Sequence, residues 1–433
     1  MAAHCLEPFR SLWPPPQSVS RRLLPLQLSM LWGGVAFWVP VEKLYMMQLG
    51  FSTSTIVVLV AACAGVVPLL EIPSGILADR WSRRGVLLVA NVSGLCSVLI
   101  AGFSRTVATF VISAIVLGIY LALQSGNVDA MVYDTVVEIS GDSADYIRHL
   151  SRLRITNTAA LIGSALGGGV VAALASPRAT YLLTAPFVVL SIISLTRFRE
   201  PISHRGGGVS TPLHRHLHAV FAIITQRSSV RLIIAALVLQ GALLTIVFEF
   251  GPLWLISLHA PAALFGPLSA GLVAGVGIGT LLAPRVDFAR RIIRSSTMAV
   301  TSIAGVTLVA SQSTALTSIA LFATAVICVV TGTHLTKLLQ DGLSTSQRAG
   351  VGSSVSTLSW VLFVPVSLVM GLIFRSHGAH AAGGIILIVM VAFVTLLTRI
   401  WSGQLNSTIT SEQSVDGKSK YARDLFSDLR LDV

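Results

Sequence analysis

EIPSGILADRWSRRG, Glu71 to Gly85, is the stretch on which the fold turns. Five of its fifteen positions are charged (Glu71, Asp79, Arg80, Arg83 and Arg84), whereas the chain as a whole is only 11% charged. A soluble domain carries roughly a quarter charged residues, so a chain this poor in charge has too little polar surface to face water. Its 433 residues are 54% hydrophobic, with a mean hydropathy of +0.81. A dense charged cluster in such a chain belongs where the polypeptide leaves an apolar environment. The residues on either side identify that environment.

Both flanks are long and apolar. A membrane-spanning helix needs roughly 20 predominantly apolar residues. Twelve such runs occur, at 24–49, 54–78, 85–104, 107–133, 154–175, 179–197, 230–258, 263–284, 296–312, 314–337, 350–373 and 380–401. The expected fold is all-α and integral to a membrane. The runs are joined by short loops, which excludes a large soluble domain. The cluster from Gly75 to Gly85 is then the connection between the second and third spans, while Glu71 and Pro73 lie within the last turns of the second. The first run is too long for a signal-peptide core and no small-residue cleavage site follows it, so it reads as a retained helix.

Basic residues favour cytoplasmic loops. With the N-terminus inside, only Arg105, Arg178 and Arg375 of the 30 lysines and arginines fall in outside loops, and Lys43 falls in a span. The other 26 lie at the inner face, so both termini are expected to be cytoplasmic. The net charge of +12 is therefore a topology signal and not a nucleic-acid footprint. The expected segments are a cytoplasmic start (1–23), six spans (24–197), a central loop (198–229), six spans (230–401) and a polar tail (402–433). Leu213, Leu217, Val220, Phe221 and Ile224 give the central loop an amphipathic face, and its histidines read as a solvated basic surface. Cys5, Cys63, Cys96 and Cys328 are scattered and support neither a disulfide framework nor a metal site.

The cluster also carries a resemblance. Gly75-Ile-Leu-Ala-Asp79-Arg80-Trp-Ser-Arg83-Arg84 resembles the loop 2–3 motif of the major facilitator superfamily, with Ser82 standing where glycine is usual. Glu71-Ile-Pro73-Ser, Val41 to Met46, and Ser125 to Asp134 extend the likeness toward a drug-efflux-like branch. The resemblance implies two six-helix bundles around a midplane cavity, working by alternating access. It also implies a latch at the inner face, with Asp79 against a helix N-terminus and Arg80, Arg83 or Arg84 paired with Asp134. If the halves are repeats, loop 8–9 should echo loop 2–3. Gly279-Thr-Leu281-Leu-Ala283-Pro-Arg285 does so in part, with Ala283 in the place of Asp79. In the fifth span Gly163 and Gly167 are four apart, which favours close helix packing. Gly168 stands where the antiporters of that branch carry proline.

Ionisable groups inside a bilayer cost about 2.5–3.5 kcal/mol each on insertion scales and are functional candidates by default. Here they are Glu42, Lys43, Glu71, Asp129 and Glu249, with His334 and Lys337 near an inner helix end. Apart from Glu71 they fall on spans 1, 4, 7 and 10, the first helix of each three-helix unit. In the superfamily these helices line the cavity. Glu42 and Lys43 are neighbours in sequence and point about 100° apart on a regular helix. Lys43 is therefore expected to pair with Glu249 from the other half, leaving Glu42 or Asp129 to take up a proton, since burial favours the neutral carboxyl. Pro40 beside Glu42 and Pro252 beside Glu249 should let both helices bend. Trp32, Phe37, Trp38, Tyr45, Phe248 and Trp254 are candidate cavity walls. Trp254 and Trp401 also suit an interfacial belt.

No H-E-x-x-H, G-x-S-x-G or phosphate-binding G-x-x-x-x-G-K-[ST] pattern occurs, so an enzyme or ATP-driven pump is not expected, nor any metal or cofactor. The expected protein is a monomeric, multi-pass transporter of the plasma membrane, of the bacterial inner-membrane kind. It would exchange protons for small, amphipathic, drug-like molecules. A proton-coupled importer of a sugar, peptide or siderophore is the alternative.

Overall fold

The computed structural model describes residues 19–124, 127–141, 145–201, 228–341 and 345–428; the side chains at 68, 71–76, 78–80, 147, 228–229, 341, 345–354 and 403–428 lie outside the described residues. Every described element is helical. They run in order as α1 (Val19–Gly33), α2 (Glu42–Gln48), α3 (Thr53–Arg80), α4 (Arg83–Phe103), α5 (Val107–Gln124), α6 (Asn127–Ser140), α7 (Tyr146–Leu174) and α8 (Pro177–Thr196). After the central loop come α9 (Ser228–Ser257), α10 (Phe265–Leu282), α11 (Arg291–Ala310), α12 (Thr314–Asp341) and α13 (Thr345–Asp428). Helix is the expected answer to a bilayer, because every backbone N–H and C=O is satisfied within its own segment.

Turns are set by local chemistry. Ser52, Ser82 and Ser176 cap α3, α4 and α8, each accepting a backbone N–H three residues on. Such a cap contributes about 1 kcal/mol. The Ser311–Ser313 connection does separate two helices, since α11 ends at Ala310 and α12 begins at Thr314.

Nine helices among the described residues are long and apolar enough to cross a membrane. The count differs from twelve apolar runs at three places. The first run is broken between α1 and α2. Of α3 only Thr53–Val67 enters the count, because side chains at 68, 71–76 and 78–80 lie outside the described residues. The last two runs form one stretch, residues 355–402, within α13, divided at Gly378, whose φ of 80° and ψ of −176° are non-helical. Only glycine adopts that backbone without steric cost. Large apolar side chains such as Leu69, Leu174 and Ile292 point outward, exposed as lipid-facing residues are.

Packing sorts the helices into two groups. Within the first, α4 contacts α5 and α8, and α1 contacts α7 and α8; within the second, α9 contacts α12 and α13, and α11 contacts α12 and α13. The groups meet along two seams, α3 with α13 and α7 with α10. The apolar cores show where the groups are fused. One continuous core, with Tyr45, Phe110, Tyr181, Phe250, Trp254 and Phe363, includes residues of both groups. It lies toward the α4–α5 and α9–α10 connections. At the opposite end the core is split in two, one part around Phe198 and Met131 and the other around Phe288 and Trp401. The molecule is closed at one end and divided at the other.

Glycines tighten the closed end. A Cβ on Gly169 would lie 3.0 Å from Gly266 Cα, and one on Gly371 would lie 2.6 Å from Val57 Cγ1. Reciprocal serine bonds do the same inside the first group: Ser97 Oγ donates to Ser113 O and Ser113 Oγ donates to Ser97 O, both at 2.9 Å.

Candidate functional site

The site begins with a broken helix. The chain leaves α1 at Gly33 and re-enters helix through a single 3-10 turn, Val39–Val41. Backbone donors freed in between take side-chain partners: Ala36 N–H donates to Ser164 Oγ (3.0 Å) and Phe37 N–H to Thr184 Oγ1 (3.2 Å). Non-helical backbone at membrane depth is tolerated where protein satisfies it or where it lines a cavity. Gly34 and Gly168 make room for the break. A Cβ on Gly34 would come within 2.7 Å of Asn157 O, and one on Gly168 would collide with the Phe37 carbonyl. Gly168 thus has a packing reason to replace the proline of the antiporter pattern. The two prolines act differently. Pro40 sits in the 3-10 turn, whereas α9 runs on through Pro252 without interruption, so only the first helix is broken.

The break delivers Lys43 to two carboxylates. Lys43 Nζ lies 2.7 Å from Glu42 Oε2 and 2.9 Å from Glu249 Oε2. The bond to Glu249 crosses between the groups. The bond to Glu42 corrects the expectation that adjacent residues do not face each other. Glu42 opens α2 directly after Val41, whose φ of −113° and ψ of 7° are not helical, so regular helix geometry does not apply. The lysine side chain is 5% exposed, Glu42 17% and Glu249 35%. All three line a cavity of about 410 Å³.

That cavity corrects the aromatic candidates. Trp38 lines it, stacked on Tyr181 with ring centres 5.4 Å apart. Trp32 and Phe37 instead pack against Phe187. Tyr45 is buried in the shared core, its hydroxyl donating to Ala101 O and Ser104 O at 3.1 Å. Phe248 packs against the same core. Helix rotation decides this, and the break resets the rotation of everything between Gly34 and Gln48. Tyr120, Gln124, Asn157, Trp360 and Phe363 line the cavity without having been singled out; hydropathy carries no signal for them. Trp254 and Trp401 are not belt residues. Trp254 is fully buried with Nε1 directed at Leu308 O, and Trp401 stacks on Phe288 at 5.1 Å.

At the divided end, Arg83 Nη1 donates to Asp134 Oδ2 at 2.7 Å. Arg84 Nη2 donates to Thr196 O. The side chains of Glu71, Asp79 and Arg80 lie outside the described residues, as does what surrounds Gly75; the backbone of all four is within α3. Sequence reading missed Glu200. Its Oε1 accepts the backbone N–H groups of Arg83 (2.7 Å) and Arg84 (3.4 Å), and Ser82 Oγ donates to its Oε2 (2.5 Å). A carboxylate on the first turn of α4 complements the helix dipole. Ser82, the departure from the motif, supplies both the cap and this donor. A lone acid in the basic RFREP segment was the available signal.

Asp129 does not join the Lys43 group. It pairs with Arg154 Nη2 at 2.7 Å, with both side chains substantially exposed at the divided end. His334 packs against Phe288 with ring centres 4.7 Å apart, while Lys337 lines an open depression with Gln240, Thr333 and Thr336. The echo of the loop motif after α10 closes on itself, Arg285 Nη1 donating to Leu281 O and Arg290 pairing with Asp287. The amphipathic face and histidines of the central loop lie outside the described residues.

Residues 23–367 match the family model of the Major Facilitator Superfamily. The chain belongs to that superfamily. No curated protein matches the sequence significantly. Among solved structures, the nucleoside transporter NupG is similar at a TM-score of 0.68 and 15% identity, over 89% of this chain and 99% of that one. A bacterial homolog of the human lysosomal transporter Spinster, in an inward-facing and unoccupied conformation, gives 0.65 and 14%, over 90% and 96%. A D-xylose–proton symporter gives 0.61 and 16%, over 86% and 96%. At such identities the likeness establishes the fold. This superfamily member is a multi-pass membrane transporter and not an enzyme.

Proposed function

We propose that the chain is a proton-coupled exporter of small amphipathic molecules, of the drug-efflux-like branch, working as a monomer in a plasma membrane of the bacterial inner-membrane kind. In this reading twelve crossings form two six-helix bundles, 24–197 and 230–401, joined by the central loop, with both termini in the cytosol. The fused end is then the outer end, and the molecule faces inward. The observation that carries the mechanism is the shared lysine: Lys43 bridges a carboxylate of its own half and one of the other half, at the closed end of a cavity that touches all three.

Two carboxylates and one ammonium sum to −1 when all are ionised. Protonating one carboxylate neutralises the group and removes one of the two bonds to Lys43. Cargo that enters from the inner side and competes with Lys43 for a carboxylate weakens the tie between halves and frees the outer end to part. A proton taken up by the group from outside displaces the cargo, is carried back to the inward state and leaves to the cytosol, which restores the tie. Asp129 and Glu71 remain secondary candidates for coupling. Arg83, Arg84, Asp134 and Gly75, with Asp79 and Arg80, form the inner latch that must close when the outer end opens. The Arg83–Asp134 pair joins α4 to α6 within the first half, with side chains only 16% and 15% exposed, so in this reading it positions the latch and does not itself tie the halves.

The cavity favours export of lipophilic cargo because its walls are largely apolar, with few polar groups. The importer reading draws on Gly168 in place of the antiporter proline and on the fold shared with a proton symporter. The test is expression in a drug-sensitive bacterium, a panel of toxic amphipathic compounds, and repetition of the best case with a protonophore. Resistance that disappears with the proton gradient is the expected result. Resistance that survives, or increased sensitivity through uptake, would overturn the export reading.

A further inference from the structure

We propose that the first half holds a sodium ion, in a second, much smaller cavity beside the break in its first helix. This cavity has a volume of about 10 Å³, room for one particle the size of a water molecule. Ser29 and Gly33 of α1, Asn91 of α4, Gln124 of α5, Asn157 of α7 and Ser191 of α8 line it. Ser29, Asn91 and Ser191 are 5%, 7% and 1% exposed. None of these side chains is charged, so the scarcity of charge did not single them out.

The hydrogen bonds around the cavity fix which atoms are left over. Ser191 Oγ donates to Ser29 O at 2.8 Å, so Ser29 Oγ is the donor in its 2.9 Å bond to Ser191 Oγ. Asn91 Nδ2 donates to the same Ser191 oxygen at 3.2 Å, and Asn157 Nδ2 to Met30 O at 2.9 Å. Those bonds settle the orientation of both amides, since a carbonyl, and a hydroxyl whose proton is already committed, can only accept. Oδ1 of Asn91 and Oδ1 of Asn157 are left without a hydrogen-bond partner among the described residues, and Ser29 Oγ keeps its lone pairs. A buried amide oxygen is costly to leave bare. A water molecule donates to only two of these three acceptors, whereas a hard cation takes them all as ligands. Gln124 lines the same space as a further amide. The cavity also lies at the C-terminal end of α1, the negative end of that helix, and the C-termini of interrupted helices are places where transporters hold sodium. The absence of a carboxylate disfavours a divalent ion, and the volume disfavours potassium. The larger cavity shares Met30, Gly33, Gln124 and Asn157 with this one, and its ionised group of net charge −1 favours a cation nearby. So placed, the ion ties α1, where it breaks, to α4 and α7.

The test is binding of radioactive sodium to the purified full-length protein in detergent, with choline chloride holding the ionic strength constant. The expected result is saturable binding of one ion per chain, displaced by unlabelled sodium at least about tenfold more effectively than by potassium. Saturating sodium should also raise the thermal midpoint by at least about 2 °C, because an ion that binds only the folded state stabilises it. Asn91→Ala and Ser29→Ala should each weaken sodium binding at least about tenfold. The absence of saturable binding would mean that the cavity holds water only, and would overturn the proposal. Equal displacement by potassium, or unchanged binding in either folded variant, would overturn it too. The measurement on the unmodified chain needs no variant to fold, and Ser29→Ala, which removes one oxygen, decides the matter where Asn91→Ala does not fold. No transport takes place in detergent, so a failure of the export reading leaves this result standing.

Discussion

Lys43 Nζ lies 2.9 Å from Glu249 Oε2, a bond between two residues more than two hundred positions apart and on opposite halves of the molecule. It sits where the two halves share one apolar core, and the same lysine is held at 2.7 Å by Glu42. Removing the cation leaves two carboxylates facing a largely apolar space with nothing between them. Breaking a buried pair by deleting one partner costs about 3–5 kcal/mol. Lys43→Met should therefore lower the thermal midpoint markedly, and Lys43→Met with Glu249→Gln should recover part of the loss. Thermal unfolding of the three proteins decides it. A double variant no better than the single one would show that the pair is not what the lysine stabilises.

The helix break makes a contrast between two glycines of α7. A methyl group on Gly168 would strike the Phe37 carbonyl, whereas one on Gly163 meets nothing within 4 Å. Gly168→Ala should destabilise by about 1–3 kcal/mol through overpacking. Gly163→Ala should be neutral or stabilising by up to about 1 kcal/mol, from helix propensity. Melting curves of the two variants test the crowding at one and the space at the other.

Glu200 ties the end of α8 to the start of α4. Its carboxylate receives two backbone N–H groups and the Ser82 hydroxyl. Glu200→Ala should cost about 1–2 kcal/mol, the range of a lost helix cap. Ser82→Ala should cost a similar amount, and the two together less than their sum because they share one bond. A double-mutant cycle by thermal denaturation measures that shortfall, and strict additivity would contradict the shared contact.

Trp38 and Tyr45 separate cavity from core. Trp38→Ala should weaken cargo binding about tenfold, near 1.4 kcal/mol, because the ring lines the cavity. Tyr45→Phe should leave binding unchanged and lower stability by about 1 kcal/mol, the worth of one hydrogen bond. Its hydroxyl serves only Ala101 and Ser104 carbonyls. Calorimetric titration with the best compound of the panel, set beside melting curves, distinguishes the two roles.

Much of this was legible in the residues themselves. Hydropathy located the apolar helices, because a bilayer imposes its thickness on each segment separately and the response is local. The loop motif offered Arg80, Arg83 or Arg84 as partners of Asp134, and the scarcity of charge singled out Glu42, Lys43, Glu71, Asp129 and Glu249, of which Glu42, Lys43 and Glu249 come together. The break between Gly33 and Val39 was not legible, because its backbone donors are satisfied by Ser164 and Thr184, hydroxyls more than a hundred residues away. From that break follow the bond between neighbours Glu42 and Lys43 and the turning of Phe37 and Tyr45 away from the cavity. Arg154 and Glu200 also stayed hidden, since an ordinary charged residue near a helix end announces no partner. The sequence by itself determined which segments prefer lipid and which residues are too costly to be there without a purpose. Only the tertiary structure decided which way those residues face, because facing is set by helix rotation, and rotation is fixed by packing between segments remote in the chain.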